Sequence, residues 1–214
     1  MNRKVVLFDF DGTLVDSLEA IVRITNRLSG EFGYQKATAE DVEALRNLNS
    51  MQIIKTAKVP LAKVPFLLQM VKLELNQEIQ NLKPIAGIID VLADLKSKGY
   101  PLGIVTSNSQ DNVKTFLHNY DLHEVFSFVH SGSTLFGKSK VIKKFLRQEK
   151  FLPEEVIYVG DETRDIEAAK NTRVQVIAVS WGFNSKEVLV KHNPDFALDR
   201  PEELIAAIGH LQQS

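Results

Sequence analysis

The sequence contains no cysteine, and this absence excludes several kinds of site at once. Disulfide frameworks, thiolate zinc sites and cysteine nucleophiles all need a thiol. A chain without cysteine is compatible with a reducing compartment, and we expect this protein to act in the cytoplasm.

Long apolar runs are also missing. The first short run, at residues 5–8, is interrupted by the carboxylates of Asp9 and Asp11, so neither a signal-peptide core nor a membrane span can form there. No later segment reaches about 18 consecutive apolar residues. We therefore expect neither a secretion signal nor a membrane partner.

Charge of one sign is not in excess, because 26 Lys and Arg residues face 27 Asp and Glu residues for a formal net charge of −1. Such a balance gives no broad attraction to nucleic acid or to anionic lipid. Hydrophobic residues make up 44% of the 214 residues and charged residues 25%, so the chain can bury a core. Any recognition of a phosphate group must be local.

Short apolar runs that stop at polar or glycine residues predict five buried strands. They lie at residues 5–8, 101–105, 126–129, 156–159 and 174–179. The last four follow one another at intervals of about 20 to 30 residues, with helical patterns between them. This alternation predicts an α/β fold built on a doubly wound parallel sheet.

The connection between the first two predicted strands does not follow this alternation. About 90 residues separate the first two predicted strands, whereas a crossover helix needs far fewer. Helical patterns at 18–32, 39–48 and 64–82 fill the stretch, with Ser17 and Thr38 as candidate caps. We interpret residues 15–83 as an inserted α-helical domain, and residues 1–14 and 84–214 as the core.

Two carboxylates, Asp9 and Asp11, directly follow the first predicted strand. Alternation along the strand points both side chains the same way until Gly12 turns the chain. Unpaired carboxylates would repel each other, so either a cation joins them or one is protonated, and a hard divalent ion fits best. The alternative is a solvated turn, which Asp and Gly also favour.

Polar residues of complementary chemistry follow the other predicted strands: Thr106, Ser107, Asn108, Lys138, Asp161 and Asp165. Ligands of such sheets bind beyond the carboxyl ends of the strands. A carboxylate nucleophile, hydroxyl and backbone donors, one cation and further carboxylates for a metal are what phosphoryl transfer needs. Taken singly, each residue has an ordinary alternative as a strand-end hydroxyl, a surface lysine or a helix N-terminus. The prediction therefore depends on their joint placement.

These stretches resemble the motifs of the haloacid dehalogenase-like (HAD) hydrolase superfamily, particularly its phosphoglycolate-phosphatase-like members. Residues 8–17 (FDFDGTLVDS) are similar to the first motif, residues 104–108 (IVTSN) to the second and residues 159–166 (VGDETRDI) to the fourth. Lys138 corresponds to the lysine of the third motif. Many relatives have a proline after that lysine, where this chain has Ser139.

The resemblance implies a Rossmann-like core, a magnesium ion and a role for each motif residue. Asp9 would be the nucleophile and a metal ligand. Asp11 would be the general acid and then the base, with its backbone carbonyl on the metal. Asp161 would be a further ligand, and Asp165 would hold either a metal-bound water or Lys138.

The resemblance also implies a phosphate site and a cap. Catalytic contacts to the phosphate would come from Thr106 and Lys138, within a set that comprises Gly12, Thr106, Ser107, Asn108 and Lys138. The inserted helices resemble a cap that closes over the site and excludes water. Arg46 is our candidate for a cap residue that reaches the substrate, although a solvated helix arginine is the alternative.

We therefore expect a magnesium-dependent phosphatase that hydrolyses a small phosphorylated metabolite, such as phosphoglycolate or a sugar phosphate, through an aspartyl-phosphate on Asp9. A phosphomutase of the same family would instead return the phosphate to a sugar. A dehalogenase is disfavoured, because Asp11 has an acid–base task only where a leaving oxygen needs a proton. A noncatalytic binding or regulatory module is the remaining alternative. The sequence predicts no oligomeric state.

Overall fold

A computed structural model describes residues 3–132 and 137–213 of the chain. Met1, Asn2 and Ser214, which we assigned to the core, lie outside the described residues, as do residues 133–136. In the part that is described, no helix has both the length and the apolar character of a membrane span.

Eight strands occur in the described residues: β1 (Val5–Phe8), β2 (Val15–Asp16), β3 (Lys83–Pro84), β4 (Leu102–Thr106), β5 (Phe128–Ser131), β6 (Val156–Gly160), β7 (Gln175–Val179) and β8 (Phe196–Leu198). Six of them form one parallel sheet in the order β5-β4-β1-β6-β7-β8. The predicted doubly wound parallel sheet is confirmed. β8 escapes prediction because its three residues are too short a run.

Ten α-helices accompany these strands in the same described part: α1 (Leu18–Phe32), α2 (Ala39–Leu45), α3 (Ser50–Thr56), α4 (Val64–Glu78), α5 (Ile88–Ser97), α6 (Gln110–Asn119), α7 (Lys138–Glu149), α8 (Thr163–Asn171), α9 (Lys186–Lys191) and α10 (Leu204–Leu211). α1 has the bounds that its apolar period predicts. α3 was not predicted, because its seven residues are too few to show an apolar period. α2 ends earlier than predicted, since Asn49 begins α3 by accepting a hydrogen bond from the Gln52 N–H.

The central strand β1 shows how the sheet is covered on both faces. Val5 and Leu7 join a buried cluster with residues of α7, α8 and α9. Val6 and Phe8 join another cluster with residues of α5, α6 and α10. Successive side chains of a strand point to opposite faces, so all four residues of β1 are fully buried.

β1 also lies at the topological switch of the sheet, with β4 on one side and β6 on the other. Because the crossovers leave β1 in opposite directions, a crevice opens at the carboxyl ends of these three strands.

Helices α1 to α4 lie between β2 and β3, two short antiparallel strands that pair where the chain leaves the sheet and returns to it. α1 and α4 pack together, and their buried residues Ile24 and Leu75 belong to the same cluster as Phe10. Thr38 caps α2 by accepting a hydrogen bond from the Asp41 N–H, as predicted. Ser17 precedes α1, but its side chain makes no capping bond.

Candidate active site

Three neighbouring strands deliver the polar residues of the crevice. Asp9 follows β1, Thr106 ends β4 and Asp161 follows β6. Lys138 is the first residue of α7, and its side chain reaches the same place. Parallel strands present their carboxyl ends at one edge, so residues from distant parts of the sequence meet there.

Three carboxylates form a buried cluster at this edge. Asp9, Asp161 and Asp165 each offer an oxygen, and these atoms lie within 4.8 Å of one another. Relative exposure is 2% for Asp9 and 0% for the other two. The side chain of Asp11 is not part of this cluster.

Lys138 is the buried cation that faces the cluster. Its Nζ donates to Asp9 Oδ2 at 2.6 Å and also to Asp165 Oδ1. Burial by itself would lower the pKa of Lys138, but attraction to Asp165 and Asp9 outweighs burial and the pKa is raised. The lysine therefore stays charged and ties the carboxylate after β1 to the one on α8.

The pKa values of the carboxylates indicate that one lysine does not balance the cluster. Burial raises the pKa of Asp9 to about 7; attraction to Lys138 opposes the rise and repulsion from Asp165 adds to it. Burial raises the pKa of Asp161 well above its usual range, helped by Glu162, Asp165 and Asp9. A divalent cation among these oxygens would favour the ionised forms. The donor set fits such an ion.

Two glycines let the chain pass close to Asp161. A Cβ on Gly12 would lie 2.3 Å from Asp161 Oδ2, and one on Gly182 would lie 2.2 Å from the same atom. Gly12 also has a φ of 75°, which side chains rarely adopt. The carboxylate is held between them by Thr13 Oγ1, at 2.6 Å, and by the Phe183 N–H, at 2.7 Å.

Asp11 has a different environment from Asp9. Its Oδ2 accepts a hydrogen bond from Asn108 Nδ2 at 2.9 Å, whereas its buried Oδ1 has no hydrogen-bond partner among the described residues. Burial raises the pKa of Asp11, and the Asn108 amide and the nearby Ser17 hydroxyl oppose that rise. A carboxyl whose pKa is raised holds its proton closer to neutral pH, as a general acid requires.

The loop after β4 is tightly folded. Thr106 Oγ1 accepts from the Asn108 N–H at 2.9 Å, and Ser131 Oγ donates to the Asn108 carbonyl at 2.5 Å. Ser107 and Asn108 then line the cleft beside Asp11. Of the residues expected to bind the phosphate, these second-motif residues and Lys138 lie at the same edge of the sheet.

A cleft of about 180 Å³ lies above this edge. The core contributes Asp11, Ser107, Asn108, Glu162, Arg164 and Phe183, and the helical segment contributes Ile21, Leu68, Val71, Lys72 and Leu75. Pockets for drug-sized ligands are typically about 300–1,000 Å³. The cleft therefore suits a small ligand enclosed by both parts of the chain.

Two cations of the cleft were not predicted from the sequence. Arg164 Nε donates to Glu162 Oε1 at 2.8 Å, so its charge is locally paired. Lys72 is half-buried, and its ammonium has no ion pair or hydrogen bond within residues 3–132 and 137–213. Burial and the nearby Arg164 lower the pKa of Lys72, while Asp11 opposes them. Lys72 is the sole Lys or Arg residue in the α4 sequence, and this was the signal from which it could have been predicted as a cleft residue.

Two residues that we expected to bind the ligand, Arg46 and Gly12, do not line this cleft in the described part of the chain. Arg46 follows α2, and its Nη2 donates to the Ser180 carbonyl at 3.2 Å, so it joins the helical segment to the loop after β7. It is not among the described residues that line the cleft. The N–H of Gly12 donates to the Val15 carbonyl at 2.9 Å, within its own turn. Gly12 thus makes room for Asp161 in this structure.

Comparison with known proteins gives consistent matches over most or all of the chain. The family model described as haloacid dehalogenase-like hydrolase matches residues 6–179. A phosphoglycolate phosphatase from Synechococcus elongatus is 38% identical over 98% of this chain and 99% of its own. Pyrophosphatase PpaX from Bacillus cereus is 26% identical over the full length of both chains, 100% of each. A haloacid dehalogenase-like family hydrolase structure from Streptococcus pneumoniae matches with a TM-score of 0.80 at 26% identity, covering 95% of this chain and 97% of that one.

Proposed function

The chain belongs to the haloacid dehalogenase-like hydrolase family and is a phosphatase of that family, and we propose that it hydrolyses a small phosphorylated metabolite through a phosphoryl group carried on Asp9, with magnesium bound. The family expected from the motifs is confirmed. The observation that carries the proposal is the buried cluster of Asp9, Asp161 and Asp165, with Lys138 joined to two of its members.

In the first step, a carboxylate oxygen of Asp9 attacks the phosphorus atom, and the bond between phosphorus and the leaving oxygen breaks. Asp11 gives its proton to that oxygen, so the product leaves as an alcohol. The loop of Thr106, Ser107 and Asn108 lies where the phosphate oxygens would be held. Lys138 offsets the charge that accumulates beside Asp9.

In the second step, Asp11 is a carboxylate and takes a proton from water, and the oxygen of that water attacks the phosphorus. The bond to Asp9 then breaks, inorganic phosphate is released, and both aspartates return to their starting states. The sum of the two steps is a phosphate ester plus water giving an alcohol plus phosphate. This second acceptor distinguishes a phosphatase from a phosphomutase, which product analysis would identify.

The metal would be held by Asp9, Asp161 and the backbone carbonyl of Asp11, with Asp165 beside them. When bound, magnesium supplies the positive charge that lets an anionic carboxylate approach an anionic phosphate. Asp165 already accepts a hydrogen bond from Lys138, so its role in the proposal is to fix that lysine.

We assign residues 15–83 as a cap domain over a core of residues 1–14 and 84–214. The support is the cleft, because α1 and α4 supply one side of it and the carboxyl edge of the sheet supplies the other. Such a cap would exclude water during the first step and set which leaving group is accepted.

The cleft favours a substrate with a second anionic group beyond the transferred phosphate. Lys72 faces it with no partner among the described residues, and Arg164 lies nearby. Phosphoglycolate carries a carboxylate in addition to its phosphate ester and is the preferred candidate, in line with the name of the Synechococcus relative. Pyrophosphate also offers a second anion, and PpaX carries that activity in its name, so it is the second candidate.

The proposal is tested with the purified protein, magnesium and a panel of phosphate esters that includes phosphoglycolate, pyrophosphate and a sugar phosphate. Excess chelator should abolish turnover and added magnesium should restore it. Beryllium fluoride, which mimics a phosphoryl group, should bind at the Asp9 carboxylate only when magnesium is present. Full activity in excess chelator would contradict the proposal, and so would beryllium fluoride that binds the protein without contacting the Asp9 carboxylate.

A further inference from the structure

A line of side-chain amides runs from the helical segment to Asp11. Asn76 Nδ2, on α4, donates to Asn112 Oδ1 on α6. Asn112 Nδ2 donates to Asn108 Oδ1 at 2.8 Å, and Asn108 Nδ2 donates to Asp11 Oδ2 at 2.9 Å. The four side chains form one continuous path of hydrogen bonds from α4 to a carboxylate of the site.

The direction of these bonds is fixed by the backbone. The Ser109 N–H donates to Asn108 Oδ1 at 2.7 Å, so the amide nitrogen of Asn108 is the atom that faces Asp11. Asn112 is 0% exposed, and its Nδ2 also lies 3.5 Å from the Lys72 carbonyl. Since this nitrogen is used, only the oxygen of Asn112 is left to accept from Asn76. Each amide therefore has one orientation that satisfies all its neighbours.

We propose that Asn112 is a positioning residue for Asp11, acting through Asn108, and that Asn76 links this positioning to the seating of α4 over the cleft. The inference rests on the proposed acid–base role of Asp11. Asp11 Oδ2 is held by the amide line, whereas the buried Oδ1 has no partner among the described residues. Holding Oδ2 fixes the orientation of the Asp11 carboxyl group in the cleft.

The link to α4 follows from where the residues lie. Asn76 belongs to the helical segment, and the other three belong to the core. If α4 moves away from the sheet edge, Asn112 loses both partners that this helix supplies, the Asn76 amide and the Lys72 carbonyl. A seated helix thus favours the amide orientation that holds Asp11. The helix that lines the substrate cleft is thereby connected to the residue that protonates the leaving group.

The test compares an alkyl phosphate, which needs a proton on its leaving oxygen, with 4-nitrophenyl phosphate, whose leaving group needs little help. The value of kcat/KM reports the steps up to release of that group. Asn112→Ala should lower kcat/KM for the alkyl ester about 5- to 100-fold, and Asn76→Ala about 2- to 10-fold. The aryl ester should lose less than about threefold in both variants, since its first step depends little on Asp11.

Controls separate positioning from general damage. Asn76 is exposed, so Asn76→Ala tests the path even if the buried Asn112→Ala does not fold. Gln77→Ala, at the next exposed position of α4, should match the wild type on both esters. In an Asp11→Asn background, Asn112→Ala and Asn76→Ala should have no further effect on the alkyl ester, because the group that they position is gone.

Two results have different meanings. Equal losses on both esters, or losses that persist in the Asp11→Asn background, would overturn the positioning role. An Asp11→Asn variant with unchanged activity on the alkyl ester would instead remove the acid–base role in the proposed function. The inference and the proposed function therefore fail in distinguishable ways.

Discussion

The sheet edge and the helical segment face the same cleft, but they hold their polar residues differently. At the sheet edge, Asp9, Lys138 and Asp161 are at most 6% exposed, and each has a buried hydrogen-bond partner. In the helical segment, α2 and α3 bury no residue, and Lys72 is half-buried without a partner among the described residues. Fixed geometry suits bond making and breaking, whereas loosely held residues suit choice of substrate.

The two regions are nevertheless one structure, since α1 and α4 share a hydrophobic cluster with the sheet. The ion pairs between these helices, such as Arg23 with Glu78 at 2.7 Å, are largely exposed and contribute little, about 0–1 kcal/mol. Apolar packing therefore contributes more to holding α1 and α4 together than these ion pairs do. Substitutions at the sheet edge should therefore change the rate of the chemical steps, whereas substitutions in the helical segment should change the choice of substrate.

The largest effect is expected at the core. Asp9→Asn removes the proposed nucleophile and should lower kcat by at least about 10³-fold, while substrate can still bind. The measurement is phosphate release from phosphoglycolate, after contaminating phosphatases have been excluded. Asp90→Asn, on the exposed surface of α5, is the matched control and should be fully active. Retention of more than a few per cent of the activity in Asp9→Asn would contradict nucleophilic catalysis at this position.

A smaller and substrate-dependent effect is expected at Asp11. Asp11→Asn keeps the size of the side chain but cannot exchange the proton, and general acid–base catalysis contributes about 10²- to 10⁴-fold. kcat/KM should fall by that range for an alkyl phosphate and by much less for an aryl phosphate. A loss of less than about tenfold on the alkyl ester would remove Asp11 from the acid–base role.

The helical segment should affect selectivity more than chemistry. Lys72→Met removes the charge but keeps the length of the side chain. It should lower kcat/KM for phosphoglycolate about 10- to 100-fold, as expected for losing a hydrogen bond to a charged group. Ethyl phosphate, which lacks the carboxylate, should change little. Lys55→Met, on the exposed part of α3, is the control. Equal losses on both esters would show that Lys72 does not read the second anion.

The smallest effect is expected at a helix cap far from the cleft. Thr38→Ala removes the acceptor for the Asp41 N–H at the start of α2 and should lower the free energy of unfolding by about 1 kcal/mol. Activity on phosphoglycolate should stay the same. Denaturant unfolding and steady-state kinetics measure the two quantities. A large loss of activity with little change in stability would show that α2 takes part in catalysis after all.

Much of the fold could be predicted because it depends on local pattern. The run at residues 5–8 becomes the buried β1, and the apolar period at 18–32 becomes α1 with the same bounds. The spacing of residues 8–17 and 159–166 also placed Asp9 and Asp161 at strand ends, where a parallel sheet brings them together. Periodicity and strand ends are properties of neighbouring residues, so the sequence by itself determined them.

Contacts between distant residues were decided only by the tertiary structure. Arg46 pairs with Ser180, 134 residues away, and so lies against the loop after β7. Asn76 meets Asn112 across 36 residues and begins the path to Asp11. Both contacts depend on the angle at which α2 and α4 pack on the core, and apolar period marks the buried face of a helix without giving that angle. The polar residues at the carboxyl edge of the sheet could thus be predicted from the sequence, whereas those that line the cleft from the helical segment could not.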